Sequence, residues 1–330
     1  MNRRQQTDHQ PPSTTDHRSN SGKGQFLASV SANVPLCREH YRLVLRLSGF
    51  PATKAGQFIQ IFCRDVGQEM EFGENRGHGK ELIGPMAMLR RPFSLAGRRD
   101  AGGGVELDII HRVVGVGTDW LAKLRTGDEV SILGPLGNVF ELPKADGMAI
   151  LVGGGVGIPP MLYLAEALAG RKAVAFAGAL SRDLLPLTIR SGDAPGGDSV
   201  EPGPIVEEFS RHGIPSIITT DDGSFGFRGF VTQALEKYLD HNSSGGARPT
   251  IYTCGPESMM KRVAEIAAAR EIECQVAVER AMACGMGTCQ SCCIRVRKPD
   301  ASKPPLVGRD WCYRLACTDG PIFRGADLLW

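Results

Sequence analysis

Six of the ten cysteines in this 330-residue chain fall within its last 50 residues: Cys284, Cys289, Cys292, Cys293, Cys312 and Cys317. Three are set in Cys284-Gly-Met-Gly-Thr-Cys289-Gln-Ser-Cys292, a C-x4-C-x2-C run. That spacing suits a [2Fe–2S] cluster, which takes its fourth thiolate from farther along the chain. Two irons must share four thiolates, so the loop has to curl around the group instead of pinching a single ion. Gly285 and Gly287 can take positive φ, which lets backbone N–H groups turn toward the sulfurs and help set the reduction potential. Cys317 is the candidate fourth ligand with Cys312 as the alternative, and Cys293 is expected to point away. A zinc site would favour paired C-x2-C elements, and only Cys289 and Cys292 form one. The stretch from Cys274 to Trp330 is too short for a large core, and a metal group or a neighbouring domain would have to support it.

The rest of the chain divides by hydrophobic period. From Phe26 to about Lys144 the pattern is β: Tyr41, Leu43, Leu45 and Leu47 alternate with Arg42 and Arg46, and Val105, Leu107 and Ile109 with Glu106 and Asp108. Period-two stretches between turn residues predict a small antiparallel barrel or sandwich, interrupted by a long loop over Arg64–Leu89. From Gly147 the pattern becomes α/β. Strands are expected at 149–152, 173–179, 216–219 and 250–253, with helices at 161–168, 232–239 and 257–270. Repeated strand–helix units imply a parallel sheet with helices on its faces. Leu184–Pro204, rich in Gly, Pro and Asp, reads as a surface insertion. The resulting organisation is a tail over 1–24, a β-barrel domain over 25–145, an α/β domain over 146–272 and a small cluster domain over 273–330.

Charge narrows the partners. Lys and Arg number 38 against 36 Asp and Glu, and beyond the first 24 residues the two signs balance. A formally neutral body argues against nucleic acid or an anionic membrane as the target. The first 24 residues hold no apolar block that could act as a signal-peptide core. The uncharged window Gly147–Ala165 is broken by Gly153-Gly154-Gly155 and Pro159-Pro160, so it predicts no membrane span. Ten cysteines without an export signal suit a reducing cytoplasm and metal ligation better than a disulfide framework.

Two stretches have the chemistry of phosphate binding. In the β region Arg91-Pro92-Phe93-Ser94 is followed by Ile110-His111-Arg112 and then Gly115-Val-Gly117-Thr118. Guanidinium groups hold a pyrophosphate through two parallel bonds, and a Gly-x-Gly-Thr turn at a helix start offers backbone N–H groups. In the α/β region Val152-Gly153-Gly154-Gly155-Val156-Gly157-Ile158-Pro159-Pro160 forms a strand-to-helix turn where a dinucleotide can approach the backbone. Thr253-Cys254-Gly255-Pro256-Glu257 would lie on the same carboxyl edge of the sheet. Cys254 alone would as readily be a small buried hydrophobe.

In this order the motifs resemble those of the ferredoxin–NADP reductase superfamily, and the C-terminal cysteine loop narrows the resemblance to the electron-transfer subunits of dihydroorotate dehydrogenase B. The matching elements also include Gly134-Pro-Leu-Gly137, Thr220-Asp-Asp-Gly-Ser224, Met282–Cys289 and Ala316-Cys-Thr-Asp-Gly-Pro-Ile-Phe323, so the likeness runs from about residue 26 to 323. The Cys-x-Asp-Gly-Pro element favours Cys317 over Cys312. The tail, the two insertions, the Cys292-Cys293 doublet and His111, where the family often has tyrosine, depart from it.

The resemblance implies FAD on the β domain, with Arg91 and Arg112 on its pyrophosphate and Ser94 near the reactive ring. Pro92 and Phe93 would line the flavin beside Ile110 and His111, and Gly117 and Thr118 would complete the phosphate contacts. NAD(H) would dock as substrate at Gly153, Gly154, Gly155 and Gly157, with Cys254 in a catalytic position and Gly255 beside it. Cys284, Cys289, Cys292 and Cys317 would hold the cluster. Asp221 and Asp222 disfavour a 2′-phosphate while Ser181-Arg182 could accept one; the family favours NAD. The implied partner is an FMN-containing dihydroorotate dehydrogenase catalytic subunit, in a heterotetramer of two copies each, serving de novo pyrimidine (UMP) synthesis in the cytoplasm. The alternative keeps the cofactors and makes the chain an NAD(P)H reductase subunit of a hydrogenase, ferredoxin-transhydrogenase or oxygenase system. A non-catalytic zinc-binding interaction protein is the rival of a different class.

Overall fold

Alternating apolar residues build the first module. The computed structural model describes residues 22–66, 72–75, 79–82, 87–190, 197–242, 248–297 and 310–330. Residues 1–21 of the expected tail lie outside these, as do parts of Arg64–Leu89 and of Leu184–Pro204. The strands are β1 (Gly24–Cys37), β2 (His40–Leu47), β3 (Phe58–Ile61), β4 (Phe72–Asn75), β5 (Gly79–Leu82), β6 (Arg91–Ser94), β7 (Gly97–Ala101), β8 (Gly104–Arg112) and β9 (Glu129–Leu136). Helix α1 (Val116–Lys123) precedes β9. Seven strands pair antiparallel in the order β6-β3-β9-β1-β2-β8-β7. Leu43, Leu45, Leu107 and Ile109 are fully buried between them, as the period of two requires. The sheet curls as a half-barrel whose edges β6 and β7 do not pair with one another. Within the stretch read as one long loop, β4 and β5 form a separate antiparallel pair.

The second module is a mixed sheet in the order β13-β12-β11-β10-β14-β15-β18, the last strand being Ile322–Arg324. It contains β10 (Ala149–Gly154), β11 (Ala173–Ala179), β12 (Ser216–Thr220), β13 (Phe227–Arg228), β14 (Thr250–Cys254) and β15 (Glu273–Ala277), which pair parallel with one another. Helices α2 (Ile158–Ala167), α3 (Glu207–Ser210), α4 (Val231–His241) and α5 (Glu257–Ala269) connect them. On α5 the stripe Met260, Val263 and Ala267 is buried, as expected. The chain reverses direction across the sheet between β10 and β14, the switch point where open α/β sheets bind ligands.

Two readings need adjustment. Sequence reading starts the cluster module at residue 273, but β15 (Glu273–Ala277) extends the parallel sheet. A three-residue strand near the C-terminus, β18 (Ile322–Arg324), then adds antiparallel to β15. The cluster module therefore leaves the sheet after Ala277, pairs β16 (Cys293–Arg297) with β17 (Trp311–Leu315), and returns to the sheet edge. Leu184–Pro204 is also not wholly on the surface. Leu184 and Leu185 are buried, and the Glu208 carboxylate accepts the Thr188 N–H.

The modules interlock through short polar joints. Asn138 donates from Nδ2 to the carbonyls of Asp319 and Ile322, and its Oδ1 accepts the Ile322 N–H at 2.8 Å. Gly137, at φ +79°, lies so close to Pro321 that an added Cβ would stand 2.5 Å from its ring. Gly134-Pro-Leu-Gly137 and the Asp-Gly-Pro run after Cys317 are thus two halves of one contact. Tyr163 Oη bonds Thr53 at 2.8 Å, and Gln275 exchanges two hydrogen bonds with the Glu141 backbone. Both tie the half-barrel to the α/β sheet.

Candidate active site

A cleft of about 640 Å³ opens where the three modules meet. The half-barrel supplies Phe58, Arg91–Ser94, Ile110–Arg112 and the turn Val114–Thr118; the α/β module adds Val156 and Pro159. The segment after β15 closes it with Val278–Met282, and Pro321 comes from beside the cluster loop. Val114, Val116 and Val156 are large apolar side chains left exposed in this cleft. Uncovered apolar walls with convergent cationic groups are what a cofactor site presents.

Every half-barrel residue expected to face FAD lines the cleft. Its cationic groups include Arg91, whose Nη1 donates to the Leu89 carbonyl, and Arg112, paired with Glu39 at 2.8 Å. Thr118 Oγ1 accepts the N–H groups of Val114 and Gly115 at 2.9 and 3.1 Å, so its hydroxyl organises the turn at the start of α1. Gly117 is small because Cys63 lies beneath it, 3.2 Å from where a Cβ would stand. The start of α1 brings the positive end of a helix dipole to the same wall. His111 is 2% exposed, and neither ring nitrogen has a hydrogen-bond partner. It stacks on Tyr41 and meets Phe93 edge-on. Burial, with His40 nearby, pulls its pKa down to about 4, so the ring is neutral at physiological pH. The lining fits a flavin nucleotide: aromatic and apolar walls together with arginines and a helix start.

The glycine-rich turn after β10 is built for packing the protein against itself. An added Cβ on Gly157 would stand 2.2 Å from the Cys254 carbonyl; one on Gly154 would stand 2.5 Å from Met259 Sδ, and one on Gly153 would press on Ile158 and Met161. Only Gly155 among them, at φ +52°, has open space over its Cα. These contacts seat β10 against β14, where Gly153 pairs with Cys254. From this region only Val156 and Pro159 line the cleft. Gly255, at φ +148°, presses on the Gly154 backbone.

Cys254 is 2% exposed at the end of β14. Burial, with the Glu279 carboxylate adding to it, pushes its thiol well above the usual range. It is a neutral thiol behind the cleft wall. Glu279 itself is a residue that sequence reading missed. It lines the cleft and is exposed there, while desolvation by the protein around it raises its pKa. Its signal was a lone carboxylate directly after an apolar strand at the carboxyl edge of the sheet.

The four expected cluster cysteines lie near one another, close enough that Cys284 and Cys292 both act on the Cys317 thiol. The sulfurs of Cys292 and Cys317 are 3.3 Å apart. Cys284 Sγ accepts the N–H groups of Met286 and Cys289 at 3.5 and 3.4 Å, and Cys289 lies against it. Among the described residues no three His, Cys, Asp or Glu side chains are gathered closely enough to hold a single metal ion. Gly285 and Gly287 take φ of +71° and +88°, as the curled loop requires. Hydrogen bonds from Ser291, with Cys284 beside it, pull the Cys289 thiol down to about 6. Burial and the neighbouring Cys292 push Cys317 up to about 11, and a bound cation reverses that preference by deprotonating its ligands. Cys312 sits mid-strand in β17 opposite Val296, and Cys293 is exposed at the start of β16.

Residues 279–329 match the family model of the iron–sulfur cluster binding domain of dihydroorotate dehydrogenase B. The dihydroorotate dehydrogenase B (NAD(+)) electron transfer subunit of Caldanaerobacter subterraneus is 30% identical over 92% of this chain and 97% of its own length. That of Geobacillus thermodenitrificans is 34% identical over 73% of this chain and 80% of its own. Among solved structures, an NADH-dependent reduced ferredoxin–NADP oxidoreductase superposes with a TM-score of 0.66 at 26% identity, covering 92% of this chain and 90% of that one. A cytochrome P450 reductase from Amycolatopsis superposes at 0.54 with 25% identity, over 79% and 70%. With a half-barrel, a nucleotide-type sheet and a cysteine loop in the same order, and likeness over nine-tenths of its length, the chain belongs to the family of dihydroorotate dehydrogenase B electron-transfer subunits.

Proposed function

We propose that this chain passes electrons between NAD(H) and a separate dihydroorotate dehydrogenase catalytic subunit carrying FMN, in cytoplasmic pyrimidine synthesis. The observation that carries the reading is the shared cleft. Its walls come from the half-barrel, from the turn after β10 and from the edge of the cluster module. A flavin, when bound, takes two electrons together and releases them singly, which is the exchange needed between a nicotinamide and an iron–sulfur centre.

Arg91 and Arg112 would hold the FAD pyrophosphate against the α1 turn, with Glu39 partly neutralising Arg112. Ser94, Pro92 and Phe93 would set the ring's position, and Ile110 and the neutral His111 would exclude water from it. Val156 and Gly155 would receive the nicotinamide side of NAD(H), while Cys254 and Gly255 would support that wall from behind. Cys284, Cys289, Cys292 and Cys317 would hold the [2Fe–2S] cluster beyond Met282 and Pro321. Asp222, held ionised by Ser224, stands near the end of β12 and disfavours a 2′-phosphate, so NADH is expected to outpace NADPH.

No helix among the described residues is long and apolar enough to cross a membrane. Dihydroorotate chemistry is assigned to the partner, in an assembly of two copies of each, a division that the relatives' designation as an electron transfer subunit supports. Anaerobic purification with untagged neighbours, followed by iron, flavin and absorbance analysis, tests the reading. An FMN-containing partner and a reddish-brown flavoprotein are expected. A colourless protein with stoichiometric zinc would refute it, as would a clear preference for NADPH for the nucleotide assignment. A second reading, a reductase for a ferredoxin-linked system, draws on the ferredoxin–NADP oxidoreductase superposition; co-purification of a partner lacking FMN would favour it.

A further inference from the structure

Gln60 is fully buried, and neither its Nε2 nor its Oε1 has a hydrogen-bond partner. An unpaired buried amide costs roughly 1–3 kcal/mol, so its position calls for an account. Side chains alternate along β3. Ile59 and Ile61 enter the half-barrel core, while Phe58 and Gln60 take the opposite face. Phe58 there belongs to the same buried apolar cluster as Met282, Cys292 and Cys317.

Gln60 meets the cysteine loop directly. A Cβ on Gly285 would stand 2.5 Å from its Oε1 and 3.1 Å from its Nε2. Gly285 follows Cys284, whose sulfur already accepts two backbone N–H groups. The half-barrel therefore presses a primary amide against the loop that surrounds the sulfur site. Amide oxygen and nitrogen exchange places by a simple flip, so its NH₂ can face the loop.

We propose that Gln60 donates an N–H to the sulfur shell of the iron–sulfur cluster, at the Cys284 thiolate or the sulfide beside it, and thereby raises the cluster's reduction potential. Reduction adds negative charge to the sulfurs, and a donor fixed against them stabilises that added charge. The flavin module would thus tune the centre that receives its electrons. The inference rests on the iron–sulfur reading above.

The test is a redox titration followed by electron paramagnetic resonance on anaerobically prepared Gln60→Met, which keeps the side chain's volume and removes its donors. The cluster is expected to become about tenfold harder to reduce, a negative shift of about 59 mV for one electron, with iron content and flavin potential unchanged. An unmoved midpoint in fully loaded protein overturns the role of Gln60. Wild-type protein lacking iron and sulfide would instead overturn the underlying cluster reading. Should Gln60→Met fail to fold or load, wild-type protein labelled with ¹⁵N in glutamine side chains decides the matter. Pulsed resonance on the reduced cluster is expected to show a ¹⁵N coupling that survives Gln290→Asn, and its absence would overturn the proposal.

Discussion

Cys254 and Cys289 are chemically identical side chains at opposite ends of the same proposed electron route, and the fold pushes their acidity in opposite directions. Cys254 is sealed at the end of β14 beside a carboxylate, so burial keeps the proton on sulfur. Cys289 is exposed on a glycine loop, where Ser291 and Cys284 favour the thiolate. A metal ligand must give up its proton; a wall beside a hydride donor must not carry charge. Spacing distinguishes ligands from packing residues, and burial explains how each stays in its state.

The largest effect should come from Cys289→Ser. Losing one of four thiolates removes the cluster, so iron analysis should fall from two per chain to background, and delivery to one-electron acceptors should drop by more than about a hundredfold, beyond the effect of outer-shell changes at metal sites. FAD should remain, because Arg91, Arg112 and the α1 turn all belong to the half-barrel module. Full delivery with serine at this position would abolish the contrast with Cys254.

His111 extends the comparison to a buried base. Its pKa is lowered to about 4 from an ordinary 6.5, so the folded protein resists a proton that the unfolded chain accepts. Stability contributed by the neutral ring is full above pH 6.5, declines as pH falls from 6.5 toward 4, and levels off below. The linked loss is at most about 3 kcal/mol. His111→Phe should remove this dependence, so urea midpoints of the two proteins should diverge as pH is lowered through that window. Parallel midpoints would mean that His111 does not stay neutral on folding.

Gly157 probes what holds Cys254 in place. Gly157→Ala puts a Cβ 2.2 Å from the Cys254 carbonyl, a clash with backbone that only movement can relieve, at about 1–3 kcal/mol. Thermal unfolding should shift by roughly 1–2 °C per kcal/mol for a chain of 330 residues. Gly155→Ala faces open space but requires positive φ, which costs about 1 kcal/mol. Its larger consequence should be a raised KM for NADH. The reverse pattern would show that the glycines serve the ligand first and packing second.

Much of this architecture was legible in the sequence, for identifiable reasons. The strand Ala173–Ala179 and the stripe on α5 announce themselves because period and burial coincide. The cysteine loop was readable because a two-iron group imposes its spacing. What escaped depends on contacts distant in sequence. Three residues, Ile322–Arg324, cannot display alternation, so the strand that returns the cluster module to the sheet was invisible. The partnership of Gly137 with Pro321, the carboxylate of Glu279 in the cleft and the amide of Gln60 against Gly285 are tertiary facts. The glycines after β10 were expected to admit a ligand; Gly153, Gly154 and Gly157 admit neighbouring protein atoms.

The smallest effect belongs to Cys254 and concerns the shape of a curve. Because burial and Glu279 both raise its pKa, the thiol stays protonated throughout pH 6–9 and cannot contribute a titration there. Cys254→Ala should lower the rate of flavin reduction by NADH by less than about tenfold, or 1.4 kcal/mol in the barrier, by loosening the wall behind the nicotinamide. The pH profile measured by stopped-flow absorbance should keep its form. An inflection in the thiol range that the alanine variant abolishes would show that Cys254 ionises during turnover. It would then stand with Cys289 as a working thiolate, and exposure would no longer explain why the two sulfurs differ.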